Sequence, residues 1–173
     1  SRTLTKTFFF RLVDDRNTAG QEYRPCQLFL NGEYWGMYYL MEKYSAEYLE
    51  NHYQVPASDI LLIKDSEEIQ SGNAEDYTCW QEVLDLFRKD LSDPDNYTAL
   101  LEKVDIQSLI DWLCTNIYIA NTDTRPLGGN VYTWRSIRPT GEDYNDGKWR
   151  WILYDLDDAL AVGTEYENNE PWK

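Results

Sequence analysis

What this chain lacks narrows its chemistry. It has a single histidine, His52, so it cannot assemble a His/Cys zinc site. Its three cysteines, Cys26, Cys79 and Cys114, are too few and too scattered for a disulfide framework. Cys79 and Cys114 fall in segments that read as helices, where they are expected as inert buried thiols. Positive charge is scarce: 16 Lys and Arg stand against 31 Asp and Glu, a net charge of −15. Such a field repels nucleic acid and anionic lipid, and neither is an expected partner. If the ligand is itself anionic, a metal ion or a local basic residue must offset the charge. No apolar run is long enough to cross a bilayer, and there is no internal repeat or low-complexity tract.

Apolar residues make up 42% of the chain and aromatics are abundant, with 7 Trp, 14 Tyr and 5 Phe, which argues for a packed core. A length of 173 residues suits one domain of ordinary size, residues 1–173. The sequence opens abruptly at Ser1-Arg2 inside an apparent helix, so it is expected to be a fragment lacking the N-terminal part of its domain.

Apolar residues at 4, 8, 9, 12 and 13 predict an amphipathic first helix. Asn31-Gly32 lies between the runs Gln27–Leu30 and Met37–Leu40, a strong hairpin signal. Ser45 opens a short helix over Ala46–Tyr53, and Asp59–Lys64 reads as a short buried strand. Ser66–Asp76 reads as an acidic loop. Trp80, Val83, Leu84, Phe87 and Leu91 follow at helical spacing. Asp93-Pro94-Asp95 ends that helix and another covers Tyr97–Val104. Asp105 then caps a long helix with Ile106, Leu109, Ile110, Leu113 and Ile117 on one face. Val131–Arg135 and Lys148–Asp155 read as strands. Strands and helices do not alternate regularly, so the expected class is α+β, with small antiparallel sheets or hairpins flanking a helical block.

Two polar clusters stand out. An aromatic and aliphatic run, Trp151 to Tyr154, leads into Asp155-Leu156-Asp157-Asp158. On a continuing strand Asp155 and Asp157 would share a face, where two carboxylates repel unless a cation lies between them. A hard divalent ion suits such oxygen ligands. Upstream, Asn121-Thr122-Asp123 follows the long helix and Asn130 follows a Gly-rich loop. Phosphoryl transfer needs a carboxylate near the attacking hydroxyl and ligands that hold the phosphate-bound metal. The same residues equally suit an Asp/Asn/Gly turn. Lys64 could aim a compact charge at a phosphate or simply mark the wet end of its strand. Glu42 could pair with a lysine or stand as a surface glutamate. Trp35, Trp80, Trp149 and Trp151 leave a second option open: a non-catalytic module whose aromatics line a carbohydrate or peptide groove, with structural Ca²⁺ in the acidic cluster.

In their order, Asn31-Gly-Glu-Tyr-Trp-Gly36 with Glu42, Leu61-Leu-Ile-Lys64, Asn121-Thr-Asp123, Asn130-Val-Tyr-Thr-Trp134-Arg135 and Trp149-Arg-Trp-Ile-Leu-Tyr-Asp155-Leu-Asp157 resemble the CotH kinase family of spore coat protein H-like proteins. The resemblance implies an atypical protein-kinase-like domain that uses ATP and Mg²⁺ or Mn²⁺ to phosphorylate protein serine or threonine. It implies Asp123 as the catalytic-loop aspartate. Asn130, Asp155 and Asp157 become the metal ligands, Lys64 the phosphate contact, and Glu42 the family glutamate at the nucleotide site. It further implies a coat or surface protein as substrate and a secreted or cell-surface setting. Residues 124–129 make the loop between Asp123 and Asn130 longer than is usual in the family.

Overall fold

A computed structural model describes residues 8–156 and residue 159. Helix α1 covers residues 8–12. Strands β1 (Tyr23–Leu30) and β2 (Glu33–Met41) form an antiparallel hairpin. Helix α2 (Ala46–Tyr53) leads through a single 3₁₀ turn to β3 (Ile60–Lys64) and β4 (Glu68–Ser71). Three helices follow, α3 (Thr78–Phe87), α4 (Pro94–Lys103) and α5 (Ile106–Tyr118), and then β5 (Tyr132–Ser136) and β6 (Arg150–Ile152). The class is α+β, with two antiparallel sheets among the described residues: β1-β2, and β4-β3-β5-β6.

The central sheet thus joins strands from before and after the helical block, rather than leaving β5 and β6 as a separate hairpin. Both of its faces are covered, which is why β3 reads as an unbroken apolar run. Leu61 and Ile63 pack with Trp80, Val83, Leu109, Trp112, Trp149 and Trp151 on the side of α3–α5. Ile60 and Leu62 pack with Tyr44, Leu49, Tyr132, Trp134 and Ile152 on the side of α2. The outer edge of β6 is also occupied. Leu153 N–H donates to Ala19 O at 3.0 Å, and Thr18 Oγ1 donates to Trp151 O at 3.0 Å. Trp149 N–H donates to Lys103 O at 2.9 Å. These contacts satisfy ladder groups that an open edge would expose.

Local signals explain most boundaries. The Asn31-Gly32 turn has φ of 51° and 85°, the two left-handed residues of a two-residue hairpin loop. Ser45 caps α2 by accepting from Tyr48 N–H, and Asp105 caps α5 by accepting from Ser108 N–H. Asp93 caps α4, with Pro94 in its first turn, so the Asp-Pro pair starts a helix instead of merely ending one.

Four expectations are corrected. Residues Glu68–Ser71 are not loop but an edge strand, half exposed and therefore polar in sequence. Helix α5 is rotated from its predicted face. It buries Ser108, Leu109, Trp112, Thr115 and Asn116, and leaves Ile110 and Ile117 exposed. The buried polar groups are satisfied: Thr115 Oγ1 donates to Asp111 O, Asn116 Nδ2 to Trp112 O, and Ser108 Oγ accepts from Trp151 N–H. Cys114 is consequently exposed, Cys26 is exposed on β1, and only Cys79 is half-buried, where burial pushes its thiol pKa up. Finally, Trp80, Trp149 and Trp151 are wholly buried, whereas Trp35 is exposed. The three buried tryptophans are core, and the four line no common aromatic groove.

Candidate functional site

Strand register gathers most of the predicted residues at one end of the central sheet. Lys64 is the last residue of β3 and pairs with Tyr132 of β5, which pairs with Ile152 of β6. Just past those pairs lie Asp65, Asn130-Val131 and Tyr154-Asp155. The connection is real: Asp65 N–H donates to Val131 O at 2.8 Å, and Val131 N–H donates to Asp65 Oδ1 at 3.3 Å.

Asp123 and Asn130 meet directly. Asn130 Nδ2 donates to Asp123 Oδ2 and to Asp123 O, each at 2.8 Å. The intervening loop is internally braced. Thr124 Oγ1 donates to Asn130 O at 2.8 Å, and Arg125 N–H donates to Gly129 O at 3.0 Å. Trp151 Nε1 donates to Pro126 O at 2.7 Å, tying the loop to β6. At its start, Asn121 is buried against the end of α5, its amide donating to Asn116 Oδ1 at 3.0 Å. The longer loop still closes so that Asn130 returns to Asp123.

Lys64 Nζ lies 3.7 Å from Asp65 Oδ2 and 5.7 Å from the ring centre of Tyr154. Tyr154 packs edge-on to Tyr132 at 4.9 Å and near Tyr44 at 6.3 Å. Tyr44 donates to Leu153 O at 2.6 Å and so fixes the chain just before Asp155. Burial pushes the Tyr132 phenol up to about 12, with Tyr154, Asp65 and Glu68 adding to the rise. Burial likewise pushes Tyr23 up to about 12, and the Asp155 carboxylate contributes. Asp155 therefore stands close enough to Tyr23, in β1, to be felt electrostatically.

The backbone at this end is unusual. Asp65, Asn130 and Asp155 have φ of 53°, 55° and 48°, and Ser66 has 62°. Asp and Asn tolerate the left-handed region better than other side-chain-bearing residues, so the residue types fit the turns. The strand predicted over Lys148–Asp155 ends at Ile152, and Asp155 turns out of it. Asp155 is therefore not on a strand face, as alternation along a continuing strand would have it. Asp157 itself lies outside the described residues. Among the described residues no group of three or more His, Cys, Asp and Glu stands poised around a metal position.

Glu42 makes its side-chain contacts away from Lys64. Its Oε1 is 3.0 Å from His52 Nε2 and its Oε2 accepts from Glu22 N–H at 3.0 Å. These contacts tie the end of β2 to α2 and to the strand entry, and no pairing of Glu42 with Lys64 is made. Sequence reasoning missed Asp65 and Tyr154. The only available signal was position, since each adjoins a residue already singled out.

The model of the CotH kinase protein family matches residues 2–172, nearly the whole chain. The chain belongs to the CotH kinase family. That membership gives it a kinase-like character. No curated protein matches it.

Proposed function

We propose that this CotH-family chain transfers the γ-phosphoryl group of ATP to a serine or threonine hydroxyl of a protein. The observation that carries this reading is the convergence of Lys64, the Asp123–Asn130 pair and Asp155 at one sheet end. In the reaction, the acceptor oxygen bonds to the γ-phosphorus as the bond from that phosphorus to the β–γ bridging oxygen breaks, and ADP leaves. Asp123 orients the hydroxyl and takes its proton. Lys64 offsets phosphate charge as a compact cation.

The donor chemistry fits a hard divalent ion such as Mg²⁺ or Mn²⁺. Asn130 commits both amide hydrogens to Asp123, which leaves its Oδ1 as the end available to a cation. The Asp155 carboxylate, with Asp157 beyond it in sequence, supplies further oxygen. A bound ion would neutralise charge on the phosphate oxygens. In a chain of net charge −15 that neutralisation matters more than usual, because the protein's own field opposes a nucleotide. Family resemblance further suggests a coat or surface protein as acceptor and an extracellular or cell-surface location.

The test is autophosphorylation of the whole chain with labelled ATP and Mn²⁺, beside Asp123→Asn. Label incorporated by the parent and lost in the variant supports the reading. Equal labelling of the two, or none in either, overturns it.

A further inference from the structure

We infer that Asp65 is a positioning residue that couples the phosphate lysine to the Asp123–Asn130 loop. This rests on the nucleotide reading given above. The two oxygens of one carboxylate are divided between the two halves of the site. Oδ2 faces Lys64 Nζ at 3.7 Å, and Oδ1 accepts from Val131 N–H, the peptide immediately after Asn130. The backbone of Asp65 closes the pair by donating to Val131 O at 2.8 Å.

Neither arrangement is free to drift. Asp65 and Ser66 are consecutive left-handed residues, a conformation that persists only where surroundings impose it. Tyr77 Oη donates to Ser66 O at 2.7 Å and pins the far side of the turn. The lysine lies near both the Asp65 carboxylate and the Tyr154 ring. Glu42, the acidic residue that sequence order offered as a lysine partner, is engaged by His52 instead. Among the described residues, the carboxylate paired with Lys64 is its own neighbour in the chain. Displacement of the Asp123–Asn130 loop is thereby felt at Lys64, and the reverse.

Two substitutions separate the two contacts. Asp65→Asn retains an oxygen for the Val131 amide and tolerates left-handed backbone, but removes the charge facing Lys64. Asp65→Gly keeps the backbone accessible and removes both. The first measurement is a calorimetric cycle on the whole chain, with Mn²⁺–ATP as probe, crossing Asp65→Asn with Lys64→Met. Coupled residues give non-additive effects, so Asp65→Asn is expected to weaken binding about fivefold in the parent and less than about twofold in the Lys64→Met background. Equal weakening in both backgrounds, or none in the parent, overturns the lysine half. The second measurement is amide hydrogen exchange at Val131 without nucleotide. Asp65→Gly is expected to speed exchange about tenfold and Asp65→Asn less than about threefold, as local opening becomes easier when the acceptor is lost. Parent-like exchange in Asp65→Gly overturns the loop half. If the parent binds no Mn²⁺–ATP at all, the nucleotide reading fails and this inference with it. Binding by the parent with additive variants sinks this inference alone.

Discussion

The side-chain amide of Asn130 holds Asp123 by two bonds at once, one to the Asp123 carboxylate and one to the Asp123 main-chain carbonyl oxygen, each at 2.8 Å. The bonds span a loop of six residues and set the direction of the Asp123 carboxylate. A left-handed φ of 55° at Asn130 brings the amide round to face back along the loop.

Asn130→Gly tests what that grip contributes. Glycine accepts the backbone conformation, so the loop can still close, but Asp123 loses its orienting donor and the proposed cation loses the Asn130 Oδ1. Misplacement of a reacting group by about 1 Å can cost roughly 100-fold in rate. The phosphorylation rate at saturating ATP is expected to fall by about that factor, with the melting temperature within about 2 °C of the parent. A parent-like rate would mean that Asp123 needs no such orientation.

Alternation predicts Asp155 on a strand face, whereas its position is a left-handed turn two residues beyond Leu153, whose carbonyl accepts from the Tyr44 hydroxyl. Asp155→Asn keeps that backbone and the side-chain shape while removing the charge. Mn²⁺-dependent nucleotide binding, followed by calorimetry, is expected to weaken about 100-fold, the upper end of what even outer partners of a metal cost. Unchanged Mn²⁺ dependence would remove Asp155 from the ligand set.

Much of this architecture was readable from local rules. Asn31-Gly32 marked the hairpin, Ser45 and Asp105 marked helix starts, and the Ile60–Ile63 run marked a doubly covered strand. The missed parts share one cause: tertiary partners that satisfy polar groups. Helix α5 turned its serine, threonine and asparagine inward because Trp151 N–H and the carbonyls of Asp111 and Trp112 complete them. Of its predicted face, Leu109 is buried and Ile106 and Leu113 pack against the core, while Ile110 and Ile117 lie outside. At the site, Asp123 and Asn130 were identifiable by residue type, whereas Asp65 was not. An aspartate after a strand reads as a turn, and only the β3–β5 register reveals that Val131 and Lys64 share it. Glu42 had a plausible lysine partner in sequence and a histidine partner in space.

Tyr44 lies under the site and offers a separable test of support. Its hydroxyl is buried and donates to Leu153 O at 2.6 Å. Burial holds its phenol well above the ordinary tyrosine pKa, so it remains a donor across all working pH. Tyr44→Phe keeps the ring against Tyr132 and Tyr154 but strands the Leu153 carbonyl, at a cost of about 1.5 kcal/mol. Thermal unfolding is expected about 4 °C lower. Nucleotide binding should weaken as well, because the segment carrying Asp155 loses its anchor. A melting loss without any binding loss would confine Tyr44 to a structural role.

Arg150 supplies a pH prediction away from the site. It is buried at the meeting of β6 with the loop before it and binds Asp146 through two nitrogens at 2.8 and 2.9 Å, with Asp105 at 3.0 Å. Burial pushes the Asp146 carboxyl upward, but hydrogen bonds from Arg150 and the Lys148 amide, with the nearby positive charge, outweigh it and leave the group below the ordinary carboxylate range. A carboxylate depressed in the folded state releases its proton more readily there than in the unfolded chain. Its stabilisation is therefore fully present above the unfolded pKa, about 4, and is lost as pH falls through the lower folded value. Asp146→Asn removes that dependence and weakens a charge-assisted pair, costing about 2 kcal/mol at pH 7. Urea unfolding at pH 7 and pH 3 measures it: the variant should trail the parent clearly at pH 7, and the gap should narrow at pH 3. A gap of constant size would show that the Asp146 charge contributes nothing to folding stability.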